Sequence, residues 1–196
     1  MKNFSFQLLL KPLSAVVAAL VLYPVPSAVV AAANAPTTVT ESEVHVERAN
    51  GSFTVDMHIH VPVDAGRAWA VLTDFEHMAE FVPNLTSSQV TERSDTFVKV
   101  TQKGVAKFGF FSTPFESTRE IHLVPPHEIR AHGVGGNITR MESVMQLKSD
   151  ATGTQLIYHA EVLPGFWFPP LIGPSLVQHE TAEQFSAMLH EMVKRP

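Results

Sequence analysis

Cysteine is absent from all 196 residues. No disulfide, thiolate nucleophile, cysteine zinc site or lipid-anchoring cysteine is therefore available, and packing alone must hold the fold. Other catalytic signatures are missing as well: there is no G-x-S-x-G elbow, no H-E-x-x-H pair and no phosphate-cradling glycine loop that opens a helix. Gly133-Val134-Gly135-Gly136 is rich in glycine but joins two strand-like segments, which makes it a hairpin. Acidic residues are lacking before Glu41, and basic ones are scarce after it. Without Lys2 and Lys11 the 14 basic residues fall to 12 against 19 acidic ones, a net charge of −7 with histidine neutral. That balance is a poor footprint for nucleic acid or an anionic membrane surface, although ten histidines soften it below about pH 6.5.

What is present begins with a leader. Lys2 and Lys11 precede an apolar run over residues 13–23, the length of a secretory h-region, and small residues crowd positions 27–35. Ala31-Ala32-Ala33 offers small residues at both recognition positions of a signal peptidase, so residues 1–33 are expected to be a signal peptide cleaved after Ala33. The protein is then periplasmic or secreted. The rival reading is an uncleaved anchor in the inner membrane, since residues 13–33 approach the ~20 that a spanning helix needs. Pro24 and Pro26 argue against it by breaking such a helix near its middle.

Residues 34–51 are polar and end on the turn pair Asn50-Gly51; they read as an edge strand or a mobile linker. From Ser52 the pattern sharpens. Phe53, Val55, Met57, Ile59 and Val61 alternate with Thr54, Asp56, His58 and His60, as in a strand with one buried face. Asp64 then caps a short helix whose apolar stripe is Ala65, Ala68, Trp69, Leu72 and Phe75, and a second short helix stops at Pro83. Strand-like segments follow at 86–93, 96–108, 115–124, 128–134, 137–148 and 154–163, joined by short loops of hairpin type. Residues 164–174 hold four prolines and cannot form a regular element. Ser175 with Gln178 then reads as a capping box, opening a last helix of about 19 residues with Val177, Thr181, Phe185, Met188, Leu189 and Met192 on one face.

The run from Val61-Pro62 through Trp69, Val71-Leu72, Asp74-Phe75 and on to Phe81-Val82-Pro83 resembles the signature of the START-like (SRPBCC) superfamily. Asp74-Phe75-Glu76-His77-Met78-Ala79-Glu80-Phe81-Val82-Pro83 is most similar to its polyketide cyclase/dehydrase group, which includes coenzyme Q-binding START-domain proteins and a ribosome-association toxin. In the quinone-binding relatives a Trp-Cys pair usually follows F-V-P, where this chain has Asn84-Leu85. The resemblance spans about residues 53–194. It implies an α+β helix-grip fold over residues 52–196: a curved antiparallel sheet wraps a long C-terminal helix, with two short helices after the first strand. It also implies a cavity between sheet and helix in which function resides.

Aromatic and apolar residues collect where loops should border such a cavity. The expected ligand-binding set is Phe81, Val82, Leu85, Phe110, Phe111, Phe115, Tyr158, Phe166, Trp167, Phe168, Leu171 and Phe185. The stretch 166–172 sits among prolines, so its side chains should enter the cavity, a partner or, transiently, a membrane surface. Each residue taken singly could equally plug the core. A general acid/base set lies on the strands: Glu116, Arg119, Glu120, His122, Arg130, His132, Arg140, Glu142, Tyr158, His159 and Glu161. Antiparallel pairing could bring His132, Arg140 or Glu142 close to His159. His58 and His60, with Asp56 and His45 nearby, share the strand face opposite the buried one and should meet solvent; no metal and no cofactor are assigned.

Three functions fit. The first is an exported binding protein for a hydrophobic small molecule such as a lipid, quinone or polyketide-like aromatic. The second is a cyclase or dehydratase using inward-facing ionisable groups. The third is a protein-binding module, which export separates from ribosomes. No nucleic acid partner is expected, and oligomeric state and ligand identity stay open.

Overall fold

The computed structural model describes residues 38–108, 111–165 and 173–195. The leader, Phe110 and the 166–172 stretch, including Phe166, Trp167, Phe168 and Leu171, lie outside the described residues, as do the side chains of Phe108 and Phe111. A 3-10 turn at Glu41–Glu43 leads into β1 (Val44–Ala49) and β2 (Ser52–Val61), then α1 (Ala65–Leu72) and α2 (Met78–Phe81). The strands β3 (Leu85–Arg93), β4 (Phe97–Phe108), β5 (Phe111–Val124), β6 (Glu128–Gly136), β7 (Ile138–Ser149) and β8 (Thr154–Pro164) follow, and α3 (Gly173–Lys194) closes the chain.

All eight strands form one antiparallel sheet in the order β1-β2-β8-β7-β6-β5-β4-β3. This is the helix-grip architecture that the sequence implies, with an added edge. The polar segment before Ser52 resolves into that edge strand: β1 pairs with β2 from Val44↔Met57 to Ala49↔Ser52. The tight Asn50-Gly51 turn joins them, with φ of +52° and +85°. Two consecutive positive φ values are the geometry of a primed hairpin turn, which suits Asn-Gly. Register shifts in the β3/β4, β5/β6 and β7/β8 pairings mark bulges that bend the sheet into a concave surface.

The alternation in β2 is observed as expected, with Phe53, Val55, Met57, Ile59 and Val61 buried and Asp56, His58 and His60 exposed. Asp64 caps α1 by accepting the Arg67 N–H at 3.0 Å. Ala65, Ala68, Val71 and Leu72 are buried along that helix, and half-buried Trp69 packs against the same core. The final helix departs from its expected start. It begins at Gly173 and runs 22 residues, so Ser175 lies within it and caps nothing. Pro174 permits the earlier start, because its fixed φ and missing N–H suit a first turn. Gln178 belongs to no capping box; its Nε2 donates to the Glu41 and Val44 carbonyls at 2.7 and 2.9 Å, tying α3 to the first edge of the sheet.

Candidate functional site

Inward parity on the central strands decides what the concave face presents. On β5 the inward series is Phe115, Ser117, Arg119 and Ile121; on β4 it includes Val98, Val100 and Gln102; on β8 it includes Leu156, Tyr158 and Ala160. Between this face and α3 lies a cavity of about 310 Å³, at the small end of the range typical for ligand pockets. Val82, Leu85, Phe115, Tyr158 and Phe185 of the expected set line it. Phe81 does not. It sits one residue before Val82, roughly 100° round the helix, and the Arg195 guanidinium stacks 5.5 Å from its ring centre. That guanidinium is held by Asp74 at 2.8 Å and Glu191 at 2.9 Å.

The wall is mainly apolar, but a polar group lies deep within it. Arg119 donates through Nη2 to Gln102 Oε1, and Gln102 Nε2 donates to Ser88 Oγ at 3.0 Å and approaches Met78 Sδ at 3.3 Å. Arg119 Nε and Ser117 Oγ are buried with no hydrogen-bond partner among the described residues. Desolvation lowers the pKa of Arg119, against the opposing influence of Tyr158. Burial raises the pKa of Tyr158; the Arg119 charge and a hydrogen bond with Ser143 work the other way. These atoms together can receive an oxygen: a guanidinium N–H, a serine hydroxyl and a tyrosine hydroxyl in a largely apolar space.

The wider acid/base set is not inside. His132 bonds Glu142, and His159 Nδ1 lies 2.7 Å from Asp56 Oδ1, on the outer face with each side chain about half exposed. Arg140 meets Glu161 there at 3.5 Å. Strand alternation explains the correction: His132 and Glu142 do come together across β6 and β7, but on the convex side. His58 and His60 also face outward, near Gln155 and Asp150 at 3.2 and 3.4 Å. No cluster of three or more His, Asp or Glu that could hold a metal occurs among the described residues.

Gln102, Ser117, Ser143, Glu180 and Gln184 line the cavity without having been singled out from the sequence, whereas Arg119, which also lines it, belongs to the expected acid/base set. A signal for two of them existed. Ser117 and Arg119 share parity with Phe115 and Ile121, so one inward aromatic on β5 would have carried them along. Glu180 had no such marker, being a carboxylate on the helix face that packs inward.

The sequence profile described as polyketide cyclase / dehydrase and lipid transport matches residues 61–187. No curated protein sequence matches the chain. Among solved structures, the Zhui aromatase/cyclase from Streptomyces sp. R1128 is similar at 17% identity and a TM-score of 0.62, covering 74% of this chain and 95% of that one. A STAR-related lipid transfer protein from Xanthomonas axonopodis is similar at 14% identity and 0.59, covering 77% and 99%. Human STARD10 aligns at 12% identity and 0.59, covering 80% and 76%. At these identities the likeness establishes the fold.

Proposed function

The chain belongs to the polyketide cyclase / dehydrase and lipid transport family, and on that premise we propose that it binds a small apolar molecule with one oxygen-bearing end. The apolar body lies between the sheet and α3, and the oxygen meets Arg119. The observation that carries this reading is the unpartnered Nε of Arg119, buried in an apolar cavity two residues from the unpartnered hydroxyl of Ser117. An unsatisfied buried donor costs ~1–3 kcal/mol, which a ligand oxygen recovers. Burying ten ligand carbons adds ~8 kcal/mol at ~0.8 per methylene, against an association cost of ~4–15 kcal/mol. Lipids, quinones and polyketide-like aromatics all have carbonyl, carboxyl or phenolic oxygens and fit this class. The similar lipid transfer and aromatase/cyclase structures support the class without choosing within it.

A cyclase or dehydratase is the second reading, favoured by the Arg119 and Tyr158 side chains facing one cavity, where they would polarise a substrate carbonyl. Binding is preferred because the histidines of the acid/base set stand on the convex face, away from that carbonyl. The protein is further proposed to be exported and cleaved after Ala33, on the leader pattern. Native mass spectrometry of protein purified from its own cell envelope tests both points. A stoichiometric apolar ligand on a chain beginning at Asn34 is the expected result. An empty cavity combined with turnover of an aromatic polyketide would favour the enzyme, and a chain retaining residues 1–33 would overturn cleavage.

A further inference from the structure

Glu180 is the one carboxylate lining the cavity among the described residues, and the binding reading gives it no ligand to hold. It is 7% exposed. Its Oε1 accepts the backbone N–H of Lys107 at 2.6 Å, and its Oε2 accepts from the Asn84 side-chain amide. Lys107 lies near the end of β4, and Asn84 lies in the connection from α2 to β3. The Asn84 carbonyl in turn accepts the Val105 N–H at 2.9 Å. One carboxylate on α3 thus closes a seam between three elements that frame the cavity.

Gly104 makes the seam close-fitting, since a Cβ there would lie 2.1 Å from the Asn84 carbonyl oxygen and 2.5 Å from the Phe115 ring. A buried carboxylate held by two neutral donors, with no cation bonded to it among the described residues, is a weak fastening for a fold, because its desolvation is only partly offset. Two hydrophobic residues would close the same seam more firmly. The arrangement suits a tie that has to open.

We propose that Glu180 is a positioning residue for ligand exchange: its carboxylate holds the seam between α3, β4 and the α2–β3 connection shut, and its release lets ligand enter and leave. This rests on the binding reading of the cavity. The Glu180 carboxyl is held above its ordinary pKa while the seam is closed. The groups around it favour protonation on balance. Desolvation is the largest influence and Glu183, one turn along α3, repels the charge, whereas the Lys107 N–H, His179 and Asn84 oppose. His179 itself is engaged by Glu41 at 2.8 Å from the 3-10 turn and by Glu183 at 3.5 Å.

The test measures exchange of cis-parinaric acid, a fluorescent long-chain acid, by stopped flow on the mature protein. Association and dissociation rates should both rise about tenfold in Glu180→Gln, and also in Asn84→Ala, which alters the seam outside the cavity wall. Unchanged rates in both variants would overturn the latch. If wild-type protein takes up no parinaric acid, the ligand class is wrong, and the latch is then judged on backbone amide exchange without ligand. Protection of the Lys107 and Val105 amides should drop in either variant; undiminished protection would refute it. Should Glu180→Gln fail to fold, the Asn84→Ala rates decide.

Discussion

Arg119 occupies a position that a folding argument alone would not choose. Its guanidinium sits in an apolar enclosure, bonded by Nη2 to Gln102, and its Nε has no partner among the described residues. Replacing a buried charge with an apolar side chain of similar length is often neutral or stabilising, whereas the charge is useful to an oxygen-bearing ligand. Arg119→Met is therefore expected to raise the melting temperature of ligand-free protein by roughly 2–8 °C, taking ~1–2 kcal/mol at ~2–4 °C per kcal/mol for a chain of this size. The same change should weaken binding of a long-chain acid by about 10–100-fold, the ~1.5–3 kcal/mol of a charge-assisted bond. Calorimetric scans and a fluorescence titration read the two effects. A lower melting temperature with unaltered affinity would return Arg119 to a purely structural role.

At the scale of elements, α3 is both the floor of the core and a wall of the cavity. Leu176, Ala182, Phe185, Met188, Leu189 and Met192 are buried along it. Phe185 is 8% exposed, and its ring centre lies 5.1 Å from that of Tyr158. Phe185→Asp would put a carboxylate into this contact and lose the aromatic packing. The cost of several kcal/mol compares with a total stability of ~5–15 kcal/mol. Loss of cooperative unfolding by circular dichroism is the expected outcome; a sharp transition at the wild-type temperature would contradict this packing of α3. The helix also shows how local signals compete. Ser175 and Gln178 have capping-box spacing, yet Pro174 is accommodated inside the first turn and Gln178 bonds to the segment leading into β1.

For the whole molecule, a sheet curved by bulges around one helix leaves a space that the described side chains do not fill, and any ligand that fills it must stabilise the folded state. At a hundred times its dissociation constant such a ligand adds ~2.7 kcal/mol. Extracted protein, refolded without ligand, should therefore melt roughly 5–10 °C below the form purified with its ligand, and adding the extract back should restore the difference. Equal melting temperatures would mean that nothing binds the native state preferentially. The sequence by itself determined the element order. Period-two alternation in β2, the Asp64 cap, the Asn50-Gly51 turn and the run ending at Phe81-Val82-Pro83 are local features, legible because short-range sterics and hydrogen bonding produce them. The side of the sheet that each polar residue faces was decided only by the tertiary structure. His132, Glu142 and His159 share with Arg119 the composition of an active site, but bulges and cross-strand register send the first three to solvent and only Arg119 inward. Glu180 owes its place to contacts 73 and 96 residues away in the chain, a separation that no local pattern encodes.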